Sequence, residues 1–444
     1  GWVILGVTTL GVLASIPGQT MGVSVFTDPL LEATGLSRLA FSQAYLVGTM
    51  ASGLALSAGG AWLDRFGARR TVAVACAGLG VTLVYLSLAD RIAAAVAERL
   101  AGLGAQPTTV AWIVLAVGFA VLRFCGQGML TLVSRTTLAR WFERRRGRVA
   151  AISGAFVNFG FAAAPLGLQR WIELAGWRGA WQGMAVVVGV GMGVLGAFFY
   201  RHDPESCGLR PDGDPPAPRA PRSPRGGHAG ALPRDSARTS AGRGAGQAFD
   251  RAQALRTGAF WLVTLGIASH AMVGTGLTFH IVDLGAEAGL SAEQAVAIFL
   301  PIALISTSMG FLAGAALDRL PVRILMLAMM LFEMLMYAGM AHFEAPAARW
   351  AGIVGWGLAS GFYGPLTLAA LPHFFGRLHL GAIQGVQMTL LVVASAFGPA
   401  VLAAFQGAFG SYRSGLLLLC SLPAAVALAA PFTRTPRIPA SREG

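Results

Sequence analysis

Long apolar runs separated by short polar turns recur along the whole of the 444 residues. Each run approaches the ~20 residues that a helix needs to cross ~30 Å of hydrocarbon. The pattern predicts twelve spanning helices. In the first half, helices 1 to 6 fall at 1–27, 40–63, 70–89, 110–134, 149–172 and 178–200. In the second half, helices 7 to 12 fall at 258–282, 294–317, 322–342, 350–372, 380–405 and 412–431. Helices are required because backbone groups in lipid must be bonded within the segment. A barrel would instead show alternating polar and apolar positions in pieces of ~10 residues. The expected fold class is therefore all-α and integral to the membrane.

The polar turns carry a second regularity. Gly60-Ala-Trp-Leu-Asp64-Arg65-Phe-Gly67-Ala-Arg69 recurs as Gly314-Ala-Ala-Leu-Asp318-Arg319-Leu-Pro321-Val-Arg323, displaced by 254 positions (314 less 60). The same shift overlays Gly22 on Gly276 and Gly35-Leu36-Ser37 on Gly289-Leu290-Ser291. Two copies of one six-helix design are thus joined, as in many secondary transporters. The division reads as an N-terminal bundle (1–202), a disordered cytoplasmic linker (203–256), a C-terminal bundle (257–433) and a cytoplasmic tail (434–444). The linker is rich in Pro, Gly, Ser and Arg, which suits a solvated tether whose ends are ordered, or a patch for anionic lipid.

Composition agrees with the pattern. Charged residues make up 12%, hydrophobic residues 55%, and mean hydropathy is +0.63, which a water-soluble domain does not sustain. The net charge of +13 changes the picture only through its placement. Arg65, Arg69, Arg70, Arg140, Arg144, Arg145, Arg146, Arg148, Arg319, Arg323 and Arg377 lie in the turns after even-numbered helices, whereas Asp28, Glu32, Asp283, Glu287 and Glu293 occupy the opposite turns. The positive-inside rule then puts the arginine-rich face and both termini in the cytoplasm, here of a bacterial-type inner membrane. Charges dispersed over short loops beside apolar spans argue against a nucleic-acid partner. Residues 90–106 read as a short interfacial helix. The cysteines at 76, 125, 207 and 420 lack paired spacing, so neither a disulfide framework nor a metal site is expected, and no cofactor is called for. The chain opens on Gly1-Trp2, which suggests a short preceding segment, and no cleavable signal peptide is evident.

In each repeated turn, glycine permits close helix approach, and the carboxylate at the membrane edge can accept bonds from a helix N-terminus or an arginine. Such an arrangement, worth ~1–3 kcal/mol, can bias two conformations, or it can simply anchor the helices. The turn resembles the signature between helices 2 and 3 of the major facilitator superfamily, with its second copy between helices 8 and 9. That resemblance implies two bundles rocking about a central cavity. It also implies that Gly60, Asp64, Arg65, Gly67, Arg69, Gly314, Asp318, Arg319 and Arg323 gate by stabilising the outward-open state. Arg140-Trp141-Phe142-Glu143-Arg144-Arg145-Arg146-Gly147, Phe374-Phe375-Gly376-Arg377, the Pro204–Gly213 stretch and Phe260-Trp261 are similar to the oxalate/formate antiporter and monocarboxylate transporter branch.

Ionisable groups at bilayer depth are costly and usually functional. Arg123, about twelve residues into helix 4, could hold a carboxylate bidentately, with Gln127 on the same face, or it could bond helix-end carbonyls. His270 and His280 on helix 7 can each carry a proton with the substrate or pack against backbone carbonyls. Glu333, mid-span in helix 9, is a further coupling candidate. Gln19 and Thr20 on helix 1, Gln43 and Tyr45 on helix 2, Asn158 on helix 5, Tyr363 on helix 10, and Gln384 and Gln387 on helix 11 can bond a ligand or one another. Residues 294–317 contain no Arg or His, although the monocarboxylate branch often anchors its substrate with a basic group in helix 8.

The expected function is secondary transport of a small organic anion, a monocarboxylate or dicarboxylate, by alternating access. Transport would be driven by protons or by exchange for a counter-substrate. Efflux of a neutral or hydrophobic compound is the first alternative, and a non-transporting membrane sensor is the second. The chain shows no phosphate-binding loop and no nucleophile, base and orienter at recognisable spacing, so it does not read as an enzyme.

Overall fold

The computed structural model describes residues 1–213, 249–433 and 436. Among them the regular elements are helical. Two of the longest runs each carry two passes. Arg38–Ser87 is divided at Gly67 (φ 81°, ψ 164°), and Arg146–Met184, which continues to Phe199, is divided at Gly176 (φ 70°, ψ 163°). Both glycines occupy backbone space that a side chain disfavours. Helix 2 therefore ends and helix 3 begins at Gly67, and helices 5 and 6 meet at Gly176. Helix 4 runs over Pro107–Trp141, and the second half contributes Gly258–Glu287, Phe299–Leu317, Val322–Ala341, Pro346–Phe375, Leu380–Phe409 and Arg413–Phe432 as helices 7 to 12. Pro107 and Pro346 stand in the first turns of their helices, where no N–H partner is lost.

Helix 1 departs from the expected unbroken span over 1–27. It ends at Leu13 and gives way to a tight turn, Ile16–Gly18, then to the short helices Thr20–Ser24 and Thr27–Thr34. Pro17 withdraws a donor and Gln19 is extended (φ −86°, ψ 155°), so the helix cannot continue. Gly18 fits against the backbone of helix 4 at Leu122 and Gly126, leaving no room for a Cβ.

The interfacial segment forms the helix Ala89–Leu100, with Ala89, Ala93 and Ala97 turned inward. It is tied down by Arg178, which donates to both carboxylate oxygens of Asp90 at 2.8 Å and 2.8 Å. The Arg178 bond holds the Asp90 carboxyl below its ordinary range. The middle of the linker, 214–248, lies outside the described residues, as does nearly all of 434–444. Its two ends are structured. Asp212 accepts the backbone N–H groups of Glu143 (3.2 Å), Arg144 (2.9 Å) and Arg145 (3.1 Å), and Asp250 and Gln253 form a capping box at the start of Arg251–Leu255.

The halves meet along two glycine-lined seams. Helix 2 packs on helix 11, where Gly60 faces Gly381 and Gly385, and helix 5 packs on helix 8, where Gly147 faces Gly314. One apolar cluster joins Ile4, Leu138 and Val149 of the first half to Phe260, Phe362 and Leu371 of the second.

Candidate functional site

Between the seams lies a cavity of about 280 Å³. This is just below the ~300–1,000 Å³ typical of ligand pockets, which suits a small organic solute. Helices 1, 4 and 5 line one side and helices 8 and 10 the other. The polar groups that line it are Thr8, Ser134, Arg135, Ser153 and Asn158 from the first half, and Ser306, Thr307, Ser360 and Tyr363 from the second. Arg135 is the charged residue of this lining; no carboxylate belongs to it. Among the described residues its guanidinium has neither a hydrogen bond nor an ion pair, and Tyr363 is its electrostatic neighbour across the cavity. Helix 8 supplies hydroxyls in place of the basic group that it lacks.

Arg123, twelve positions earlier on the same helix, has a different fate. It is 4% exposed and does not line the cavity. Its guanidinium donates to the Gly18 carbonyl (3.3 Å) and to the Thr20 hydroxyl (3.2 Å), and sits over the Tyr45 ring at 5.2 Å. Tyr45 in turn donates to Thr20 at 3.1 Å. The side chain thus fills the donor requirement left by the break in helix 1. Gln19 bonds Ser15 at 2.9 Å, and Gln127 stands where Gly18 crosses helix 4. Of the nine substrate-binding candidates, the structure places Asn158 and Tyr363 in the cavity wall and His270 just behind it; Arg123, Gln127, Gln19, Tyr45, His280 and Gln387 are elsewhere.

His270 lies behind the wall, 3.1 Å from the Ser360 hydroxyl and packed against the Tyr363 ring (5.2 Å between centroids). Behind it, Nδ1 is 3.8 Å from Oε2 of Glu333, whose other oxygen accepts a hydrogen bond from Ser269. His280 is engaged in packing, with Nε2 2.9 Å from the Pro399 carbonyl and Nδ1 3.1 Å from the Tyr412 hydroxyl. Gln387 is buried with its amide nitrogen unpartnered, and Gln384 joins the halves by accepting from Thr136 at 2.5 Å.

At the arginine-rich end, the repeated carboxylates each cap a helix of the opposite half. Asp64 accepts the N–H groups of Gly381 (2.9 Å) and Ala382 (2.6 Å) at the start of helix 11, and Arg140 donates to it at 2.5 Å. Asp318 accepts the N–H of Gly147 (2.9 Å) at the start of helix 5. A Cβ on Gly147 would collide with the Gly314 carbonyl, so each cap depends on bare backbone contact. Arg140 and Arg377 exchange bonds with each other's carbonyls at 3.2 Å and 2.8 Å, and Arg377 also pairs with Glu205 at 2.8 Å. Arg65, Arg69, Arg319 and Arg323 are exposed and take no part in these caps; Arg65 lies over Phe66. The basic partners in this lock are Arg140 and Arg377. His202 completes it by accepting the Ala68 N–H at 3.2 Å, with Arg140 at 2.6 Å from Nε2. Burial, and then the adjacent Arg140, hold the His202 imidazole below its ordinary pKa.

The sequence profile of the Major Facilitator Superfamily matches residues 8–399. The chain belongs to that superfamily. As a member it is a multi-pass membrane transporter and not an enzyme. The proton:xylose symporter XylE bound to 6-bromo-6-deoxy-D-glucose is similar over 98% of this chain and 96% of its own, at 14% identity and a TM-score of 0.65. The human organic anion transporter MFSD10 is similar over 96% and 99%, at 15% identity and 0.65. The Escherichia coli fucose:proton symporter FucP is similar over 97% and 98%, at 13% identity and 0.60. At these identities the likeness establishes the facilitator fold alone. No curated protein sequence matches the chain.

Sequence reasoning did not single out Arg135, because it falls one residue beyond the apolar run at 110–134 and so reads as a boundary arginine. The signal that could have found it is helical phase. Arg135 lies four residues from Thr131 and so shares its polar face on helix 4, which an interfacial arginine would not need.

Proposed function

We propose that this facilitator is a secondary transporter of small organic anions, and that Arg135 is the group that holds the anion during alternating access. The observation that carries this reading is the unpaired guanidinium in a cavity whose lining contains no carboxylate. A guanidinium enclosed without a counter-charge is costly, and a carboxylate entering the cavity compensates it with two parallel charge-assisted hydrogen bonds. Asn158, Ser306, Thr307 and Tyr363 surround the site with neutral donors and acceptors that can orient the rest of a small substrate. The size of the cavity favours a short monocarboxylate or dicarboxylate.

The gate belongs to the same proposal. Asp64 and Asp318, capping helices 11 and 5 across the two seams, hold the arginine-rich end shut, and the positive-inside rule makes that end cytoplasmic. The conformation is then the one that receives substrate from outside, with both termini inside a bacterial-type inner membrane. Breaking the two caps frees the helix N-termini and lets the bundles rock.

The test is counterflow in liposomes with labelled oxalate, formate and lactate, set against the uncharged amides of the same acids. Saturable exchange of the acids with none of the amides is the expected result. Exchange of amides in preference to acids would instead favour efflux of neutral compounds.

A further inference from the structure

Behind the anion cavity is a second polar site that anion binding does not require. Glu333 is fully buried on helix 9, and although Oε1 is bonded to Ser269, Oε2 has no hydrogen-bond partner. Directly opposite, Nδ1 of His270 is also buried and unpartnered, 3.8 Å from that oxygen. Two complementary orphan atoms therefore face each other in a dry interior, one small movement short of a hydrogen bond. From the far side of the imidazole, Nε2 meets the Ser360 hydroxyl at 3.1 Å, and Ser360 is part of the cavity wall. The path from carboxyl to cavity is complete except for that 3.8 Å gap.

We propose that Glu333 is the proton-carrying group of this transporter and that His270 and Ser360 relay the proton between it and the cavity. This rests on the reading of Arg135 as the anion site. The relay conserves bonds at each step. Ser360 passes its hydroxyl proton to Nε2 of His270 and takes another from a hydronium that enters the cavity from the acidic side, leaving a water behind. The imidazole, protonated on both nitrogens for that moment, gives up its Nδ1 proton to Oε2, which becomes a neutral carboxyl. Charge balance links the two sites. An anion bound beside Arg135 raises the cost of a second negative charge behind the wall, so the buried carboxylate of Glu333 takes up one proton. The coupled movement is electroneutral, one proton with each negative charge carried.

The surroundings leave this pair as the titrating unit. Tyr337 on helix 9 and Cys420 on helix 12 are the other ionisable groups near enough to feel Glu333. Helix 8 brings none in Phe299–Leu317. On helix 10, Tyr363 stands on the cavity side of His270, next to Arg135. On helix 7, His280 is held by Pro399 and Tyr412. His270 is the basic group within ion-pair distance of Glu333 among the described residues.

The experiment combines transport with a substrate-free readout on the full chain. In liposomes, Glu333→Gln and His270→Gln should lose accumulation of labelled lactate driven by an inward proton gradient while retaining lactate counterflow. Infrared titration of the purified wild type should show a carboxyl band, absent from Glu333→Gln, that changes amplitude with pH and strengthens when lactate is added. Gradient-driven accumulation by Glu333→Gln with a wild-type pH profile would overturn the proposal, as would a wild-type spectrum with no titrating band assignable to Glu333. If the variant fails to fold, the wild type still decides: about one proton taken up per lactate bound in lightly buffered detergent supports the relay, and none refutes it. A titrating Glu333 band without any carboxylate counterflow would separate failure of the Arg135 reading from failure of the relay.

Discussion

Arg123 and Arg135 stand on one helix and have the same chemistry, yet their surroundings differ. Arg123 donates through one terminal nitrogen to a carbonyl and a hydroxyl made available by the break in helix 1 and lies over the Tyr45 ring of helix 2, while its Nε is unpartnered. Arg135 has no such partners and faces a cavity. The first is a structural cation that repairs a helix end. The second is the proposed anion site. The difference teaches that depth in the membrane alone does not identify a functional charge; what identifies it is enclosure without an internal partner.

Substitutions at the two arginines and at Tyr45 offer the means to sharpen this comparison. The largest effect is expected from Arg135→Gln, which should reduce carboxylate counterflow by about a hundredfold or more while the melting temperature stays near wild type, since truncating one partner of a charge-assisted pair costs about 2–5 kcal/mol. Arg123→Gln should do the reverse. It leaves the Gly18 carbonyl without its charged donor and costs about 1–3 kcal/mol of stability, read as a lower melting temperature, with flux per folded molecule retained. Arg135→Lys keeps the charge and loses the planar fork, so KM should rise by about tenfold with a smaller change in the maximal rate. Tyr45→Phe removes the bond to Thr20 but leaves the ring beneath Arg123; a loss of about 0.5–1.5 kcal/mol and no change in flux are expected.

Much of the fold was legible because the solvent is so demanding. Twelve apolar runs, a 254-residue repeat and a biased distribution of arginine follow from the cost of exposed backbone and charge in lipid, and the facilitator architecture follows from them. The break in helix 1 was less legible: Pro17 and Gly18 signal it, but their effect depends on what helix 4 presents to them. The repeated Asp64 and Asp318 were readable as carboxylates that accept from a helix N-terminus or an arginine, whereas the donors themselves, Arg140 and the first N–H groups of helices 5 and 11, are brought near only by the packing of opposite halves. Arg135 was hidden for a similar reason. Its lack of a partner is a property of the assembled cavity and is not written in the residues beside it.

A third arginine of helix 4 extends the contrast to the gate. Arg140 is held by Asp64, with His202 alongside as a neutral acceptor. Because the native His202 binds protons less readily than an unfolded histidine, the contact is at full strength above a pH of about 6.5 and weakens as the pH falls below it. Acidifying the arginine-rich face should therefore loosen the lock, seen as faster exchange of the helix 11 N-terminal amides, and His202→Gln should remove that pH response. This is the smallest of the expected effects, a modest change in one edge of a contact that Asp64 dominates.

The most direct test of the central claim is equilibrium binding of labelled oxalate and lactate to the purified protein, with Arg135→Gln and Arg123→Gln measured side by side. The account predicts that Arg135→Gln is folded and does not bind, while Arg123→Gln binds in proportion to its folded fraction. Binding lost in folded Arg123→Gln and kept in Arg135→Gln would contradict it.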